Sequence, residues 1–362
     1  MIKGNKKIWL IIVLTLFIAH IFLAPRRVPQ ETVLKPVWVT SLVINNPFIL
    51  NDFPTEGERV LLPFTVGDRF GFVGDDGYFT INRARGASLS ISERLWAEYD
   101  TLPSSIQVMN PYNEVLLVID SPGGYPLFLD NRVFLVGHEQ NSITALGTEG
   151  QALWTFDFPS PITTVDAANG YLLAGTLDGM MILLNPRGVP VFPPFEPLGS
   201  RLSVILGSAL SRDASHMALI SGIDNQRFLL IERTGDTHRV IHHEFLSEGF
   251  RRPVHINFVD NDTRVVFERE GGLGIYTINT RASINIDLDG EILSMGTSGE
   301  GRFLFAITSQ GPTEKRLVTI RFPGIVVSEA PFESENTFLA HRGSRLFIAG
   351  DTAMASFELE SR

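Results

Sequence analysis

The stretch Asn169 to Phe192, NGYLLAGTLDGMMILLNPRGVPVF, constrains this chain more than any other. An apolar run (Tyr171 to Gly175) meets a Thr-Leu-Asp-Gly turn at 176–179. A second apolar run (Met180 to Leu184) then meets Asn185-Pro186-Arg187-Gly188. Two runs joined through Asp-Gly read as a β-hairpin, because the backbone angles of such a turn are open to Gly without a steric clash. A lone hairpin cannot bury its apolar faces, so the unit must recur.

It does recur. Short apolar runs entered through a bulky polar residue begin at Arg69-Phe70, Arg132-Val133, Tyr171-Leu172, His216-Met217, Arg264-Val265, Arg302-Phe303 and Arg345-Leu346. The steps between the apolar members are 63, 39, 45, 48, 38 and 43 residues. All but the first lie in or near the spacing of a four-stranded propeller blade. The long first step holds Leu102 to Gly124, where Glu114 to Asp120 (EVLLVID) supplies an additional strand. If residues 102–124 form part of an extra blade, the count rises from seven to eight.

The last unit offers Thr337 to Ala340, Leu346 to Ala349 and Ala355 to Leu359, and lacks an outermost strand. Val37 to Ile44 (VWVTSLVI) is left over at the other end, and pairing the two closes the ring and removes an exposed edge. The expectation is an all-β chain: a seven-bladed β-propeller of four-stranded antiparallel blades over residues 60–362, closed by the N-terminal strand. Residues 28–59 provide the linker and that strand. Residues 1–27 form a signal anchor with one transmembrane helix.

The anchor rests on Ile8 to Ala24, 17 uncharged residues preceded by Lys3, Lys6 and Lys7 and followed by Arg26 and Arg27. Phe22 and Ala24 would occupy the cleavage positions and Pro25 follows, so an uncleaved anchor is preferred over a removed signal peptide. The excess of cations before the run puts the N-terminus in the cytoplasm, and the body on the periplasmic side of the inner membrane. Without the five flanking cations the body carries about −15, which repels phosphate backbones and argues against nucleic acid as a partner. The absence of cysteine excludes disulfides, thiolate metal sites, cysteine nucleophiles and a lipoprotein cysteine.

Ala145-Leu146-Gly147-Thr148-Glu149-Gly150-Gln151-Ala152-Leu153-Trp154 resembles the ending of PQQ-like propeller repeats, and Gly175-Thr176-Leu177-Asp178-Gly179 resembles their Gly-Ser/Thr-x-Asp-Gly turn. The match covers residues 130–192, about two blades, and no Trp-Asp dipeptide of the WD40 type occurs. The resemblance implies the propeller fold and a relation to BamB-like, membrane-tethered propellers of the bacterial envelope. This chain departs from those lipoproteins in having no cysteine. PQQ-dependent dehydrogenases share the repeat but need a larger ring and typically a vicinal disulfide, so no cofactor is expected.

Asn285-Ile286-Asp287-Leu288-Asp289-Gly290 has the spacing that opens a calcium loop, but Gly296 stands where a bidentate Glu is needed. An outer strand ending in an Asp-Gly turn explains the alternation better. His238, His242, His243 and His255 show no metal-ligand spacing, and adjacent residues on a strand point to opposite faces. No nucleophile elbow, phosphate loop or dinucleotide fingerprint is present, and no metal is expected. Two candidate contact features remain. Arg69, Arg132, Arg264, Arg302 and Arg345, if they open equivalent strands, ring one end of the channel and suit an anion or acidic peptide; the alternative is that they satisfy loop carbonyls and neighbouring acids. The loops around Gln226-Arg227-Phe228 and Phe250-Arg251-Arg252 combine aromatic, Arg and amide groups, which suits a protein-contact surface, with ordinary blade turns as the alternative. The expected role is a non-catalytic scaffold for envelope or membrane proteins. The alternatives are a hydrolase of glycans or peptides in the channel and a small-ligand sensor.

Overall fold

The computed structural model describes residues 32–43, 61–246, 249–297 and 301–361. The chain divides into a large unit, residues 36–358, and a small one made of residues 1–35 and 359–362. The described residues of the small unit are extended strand.

Eight antiparallel sheets follow one another along the chain. Blade 1 is β2 (Leu62–Val66), β3 (Arg69–Val73) and β4 (Phe79–Ala84). Blade 2 is β5 (Ser88–Ile91), β6 (Trp96–Tyr99), β7 (Ser105–Met109) and β8 (Val115–Asp120). Blade 3 is β9 (Gly124–Leu129), β10 (Arg132–Gly137), β11 (Ser142–Leu146) and β12 (Ala152–Asp157). Blade 4 is β13 (Ile162–Ala168), β14 (Tyr171–Thr176) and β15 (Met181–Leu184). Blade 5 is β16 (Ile205–Leu210), β17 (His216–Ser221), β18 (Arg227–Thr234) and β19 (Thr237–Phe245). Blade 6 is β20 (Ile256–Val259), β21 (Arg264–Arg269), β22 (Gly272–Thr277) and β23 (Ala282–Asp287). Blade 7 is β24 (Glu291–Thr297), β25 (Phe303–Ser309), β26 (Glu314–Arg321) and β27 (Ile325–Glu333). Blade 8 is β28 (Phe338–Arg342), β29 (Arg345–Ala349) and β30 (Ala353–Ser361), with β1 (Thr32–Ser41) as its outermost strand.

The propeller therefore has eight blades and not seven; the strands within residues 102–120 belong to blade 2, and Gly124 opens blade 3. Two local features hide the extra blade. Trp96 opens its second strand without the bulky polar residue that marks the others, and Arg69-Phe70 opens a different strand of its own blade. Inner strands of neighbouring blades run the same way: Asp166 near the end of β13 accepts from the Leu210 N–H at the end of β16. β2 runs the other way against β28, since Arg342 at the end of β28 donates to the Leu61 carbonyl that precedes β2. β2, β3 and β4 thus take the directions of second, third and fourth strands. A bulge confirms this assignment. It leaves one residue unpaired where the fourth strand leaves the third, at Leu116, Leu153, Ile241 and Val327, and likewise at Thr80 in blade 1.

No helix occurs among the described residues, and none there is long and apolar enough to cross a membrane. The transmembrane helix expected within residues 1–27 lies outside the described residues, as does most of the 28–59 segment. The ring-closing role expected for Val37 to Ile44 is taken by β1, which is displaced a few residues towards the N-terminus.

Turn chemistry accounts for the regularity. Asn185 Oδ1 accepts the N–H groups of Arg187 (2.9 Å) and Val189 (3.2 Å), and Gly188 then takes φ +76°, an angle open to residues without Cβ. Asn110 repeats the device for Tyr112 and Glu114. The core lies between blades, where aromatic rings from adjacent sheets meet. Phe228 stacks on Phe267 at 4.4 Å, Phe70 meets Trp96 at 5.3 Å, and Phe64 meets Phe338 at 6.4 Å. Each fully buried ring contributes about 1.5–3 kcal/mol through removal from water.

Candidate functional site

In an antiparallel blade the turn between second and third strands and the connector to the next blade emerge at the same end. Over blades 4, 5 and 6 these segments form one surface. The Thr176–Gly179 turn stands beside Ser203 of the 193–204 connector. That connector in turn packs on the next turn, where Ile223 N–H donates to Leu202 O (3.2 Å) and Gly222 N–H to Val204 O (2.9 Å). Asp224 holds the connector from below: it accepts from the Ser200 hydroxyl and from the Arg201 N–H at 3.2 Å. The Ser200 hydroxyl is the chief cause of an Asp224 carboxyl lying well below the usual range.

Gln226 joins this turn to the connector beyond blade 5. Its side chain is buried, donates to Gly222 O (3.0 Å) and Phe250 O (3.2 Å), and accepts from the Phe250 N–H (3.2 Å). The two loops that the sequence marked separately are one structure. Phe250 packs against the core, and Arg252 lies over its ring at 4.4 Å while bonding Glu268 at 2.6 and 3.1 Å. Glu268 is buried, and its hydrogen bond to Arg252 raises the guanidinium pKa further. A cleft of about 480 Å³ opens beside this pair, lined by Arg269, Glu270, Leu288 and Glu291 among others.

The parts differ in what they present to solvent. Phe228 is wholly buried and belongs to the core, so it has no place in a contact surface. Arg227 is half-buried, lies 5.9 Å over Phe245, and has its pKa lowered by burial. Arg251 is exposed. Residues the sequence reading did not single out complete the surface: Leu177, Leu198 (68% exposed), Leu202 (58%), Phe245 (59%) and Arg201. Leu198-Gly199-Ser200-Arg201-Leu202 carries no aromatic or repeat signal; its position in a long connector is the only clue in the sequence.

Of the five strand-opening arginines, Arg132, Arg264, Arg302 and Arg345 stand at the starts of second strands and Arg69 does not. Arg69 binds Asn82 through its side-chain and main-chain oxygens, and it opens a third-strand equivalent, so it lies at the other end of its blade from the rest. Arg132 donates to Gly170 O (2.8 Å) and covers Phe134; Arg264 pairs with Asp260 and covers Phe322. Arg345 donates to Asp75 O, and Arg302 precedes β25 with its carbonyl accepting from Phe322 N–H. Where their partners are seen, these are loop carbonyls, amide side chains and neighbouring acids.

At the far face, a cavity of about 360 Å³ is lined by Asp166, Arg212, Asp260, Asp262 and His341, with others. Its acids are committed. Asp166 accepts two backbone N–H groups, Asp262 pairs with Arg212 at 3.1 Å, and Asp260 with Arg264. Burial raises Asp166 and lowers His341. The four clustered histidines part company: His238 lies against Phe192, His242 stacks on Tyr276 at 4.0 Å, His243 meets Phe245, and the backbone N–H of His255 donates to Glu268. Among the described residues no group of three His, Asp or Glu side chains is placed to hold a metal ion. Asn285 to Asp287 end the outer strand β23, with Gly290 in the turn after it.

A family model described as beta-propeller protein matches residues 1–361. The chain belongs to that family. An uncharacterised protein of Treponema pallidum (strain Nichols) is 25% identical over 365 residues, covering 99% of this chain and 95% of the relative. Among solved structures, BamB from Moraxella catarrhalis superposes with a TM-score of 0.57 at 13% identity, over 90% of this chain and all of that one. Apo AztD from Citrobacter koseri gives 0.56 at 11%, over 81% and 88%. At these identities the likeness is one of fold, and with the family match it supports the propeller reading.

Proposed function

We propose that this chain is a non-catalytic interaction propeller of the bacterial envelope, facing the periplasm and held at the inner membrane through the apolar run 8–24. Its loop face over blades 4 to 6 docks another envelope protein. The observation that carries the reading is the joined surface in which Leu177, Leu198, Leu202 and Phe245 stand among Arg201, Arg227 and Arg251. Exposed aliphatic and aromatic groups beside arginines, on loops held by a buried Gln and an ion pair with a buried carboxylate, have the make-up of a protein contact. The fold shared with BamB of Moraxella catarrhalis supports an envelope setting by analogy. The far-face carboxylates argue against general acid–base work, since each is spent on backbone amides or arginine.

The test is affinity capture from detergent-solubilised membranes with the wild type, Leu202→Glu and Arg251→Glu. Both side chains are exposed, so the variants keep the fold. Envelope proteins recovered by the wild type and lost by the variants support the proposal. Equal recovery by all three, or hydrolysis of glycan or peptide substrates by the purified monomer, overturns it.

A further inference from the structure

An outer strand of a propeller blade leaves one row of backbone N–H and C=O groups without a sheet partner, and charge, proline or a bulge keeps other chains from pairing with it. Most outer strands here are guarded in this way. β1 carries Lys35 and Pro36, β4 Arg83, β19 Arg239 and three histidines, β27 Glu329 and Pro331. β23 places Ser283, Asn285 and Asp287 in alternation. β27 also exposes Ile325, Val326 and Val327, but Glu329, paired with Arg316, and Pro331 follow directly.

β8 has neither charge nor proline from Val115 to Ile119, and turns Val115 (49%), Leu116 (55%) and Val118 (46%) to solvent. Its bulge lies at Leu116, near its start, so Leu117 to Asp120 continue as regular strand paired with β7. Leu117 packs on the Gly150 turn of blade 3 and fixes the strand in place. The uncharged stretch is bracketed by two exposed acids, Glu114 and Asp120.

Those brackets select the occupant. If two copies of β8 paired antiparallel about Leu117, each Glu114 would face an Asp120, placing like charges at both ends. A strand with apolar residues in alternation and cations at both ends meets no such penalty. We propose that the β8 edge is a strand-addition site for an extended segment of a partner polypeptide, apolar in its centre and basic at its ends. Main-chain pairing holds the segment, Val115, Leu116 and Val118 receive its side chains, and Glu114 and Asp120 set its register. This rim surface is separate from the loop face of blades 4 to 6, so either proposal can fail without the other.

The experiment uses the full-length protein in detergent and a fluorescent synthetic nonapeptide with two lysines at each end of a Val-Thr-Val-Thr-Val core. Saturable binding is expected, weakened at least about tenfold by Val118→Lys and by N-methylation of alternate peptide amides, and absent when the lysines are replaced by glutamates. Leu116→Lys, at a second exposed position of the same edge, should weaken binding as well, and circular dichroism guards against a folding artefact. Failure of the basic peptide to bind overturns the proposal, as does indifference to N-methylation or wild-type binding by both lysine variants. So does a Val118-dependent dimer in sedimentation, which would make a second copy the occupant.

Discussion

Trp38 on the outermost strand of blade 8 donates its Nε1–H to the main-chain carbonyl of Asp75 in blade 1, at 2.8 Å. The same carbonyl accepts from Arg345, and Gly77, at φ +84°, leaves no room for a Cβ, which would stand 2.9 Å from the indole. Trp154 does the same work about a third of the chain later, donating to Pro186 O at 3.1 Å and covering Gly188. The ring is thus latched by an indole set on the third-to-fourth-strand turn of the following blade. Trp38→Phe removes the hydrogen bond and keeps most of the packing, at a cost of about 1 kcal/mol. Trp38→Ala also removes the contact with Phe347, at about 3 kcal/mol for a half-buried ring. Urea unfolding should rank the two variants in that order, and an equal loss would show that packing plays no part.

The same turns explain what was readable in advance. Asn185, Gly188, Gly150 and Trp154 announce strand, turn and blade ending in single-sequence terms, so the propeller and its ring-closing strand were legible. Blade 2 was not, because Trp96 lacks the polar residue that marks other second strands. Arg69 misled in the opposite sense, since a strand's direction is set by its neighbours and leaves no trace in composition. At the loop face, composition picked out Gln226 and Phe250, but only tertiary contact shows that one side chain bonds the other's backbone. An aromatic beside Arg reads the same in a loop and in the first residues of a buried strand, which is why the sequence alone does not show that Phe228 is core.

Gln226 ties the turn of blade 5 to the connector beyond it with three hydrogen bonds from a buried position. Gln226→Leu keeps the volume but leaves the carbonyls of Gly222 and Phe250 and one N–H unpaired, at about 2–4 kcal/mol. Hydrogen exchange should show the Phe250 amide losing protection before the strands of blade 5. Uniform loss across the blade would mean that the residue serves the core and not the loops.

Arg252 and Glu268 form an ion pair whose carboxylate is buried and whose guanidinium also reaches Glu291 at 3.2 Å. Arg252→Ala strands a buried charge and should cost about 3–5 kcal/mol, whereas Arg252→Ala with Glu268→Gln should recover much of that loss. A double-mutant cycle by urea unfolding measures the difference. Additive effects would contradict the coupling seen in the geometry.

Asp351 offers a pH test. It accepts from Glu335 N–H (2.7 Å), Asn336 N–H (2.9 Å), Asn336 Nδ2 (3.0 Å) and the Ser334 hydroxyl (3.0 Å). Slight desolvation raises the pKa of this exposed residue, but these bonds outweigh it and bring the carboxyl down to about 2. A folded pKa below the unfolded value of about 3.9 means that the folded state favours the ionised form. The contribution is complete above the unfolded pKa and is lost as pH falls through about 2. Asp351→Asn removes this linkage. The stability gap between wild type and variant should therefore be constant above about pH 5 and close between about pH 4 and pH 2. A gap that instead persists unchanged to the acid limit would show that the Ser334–Asn336 turn is held by its shape and not by the charge of Asp351.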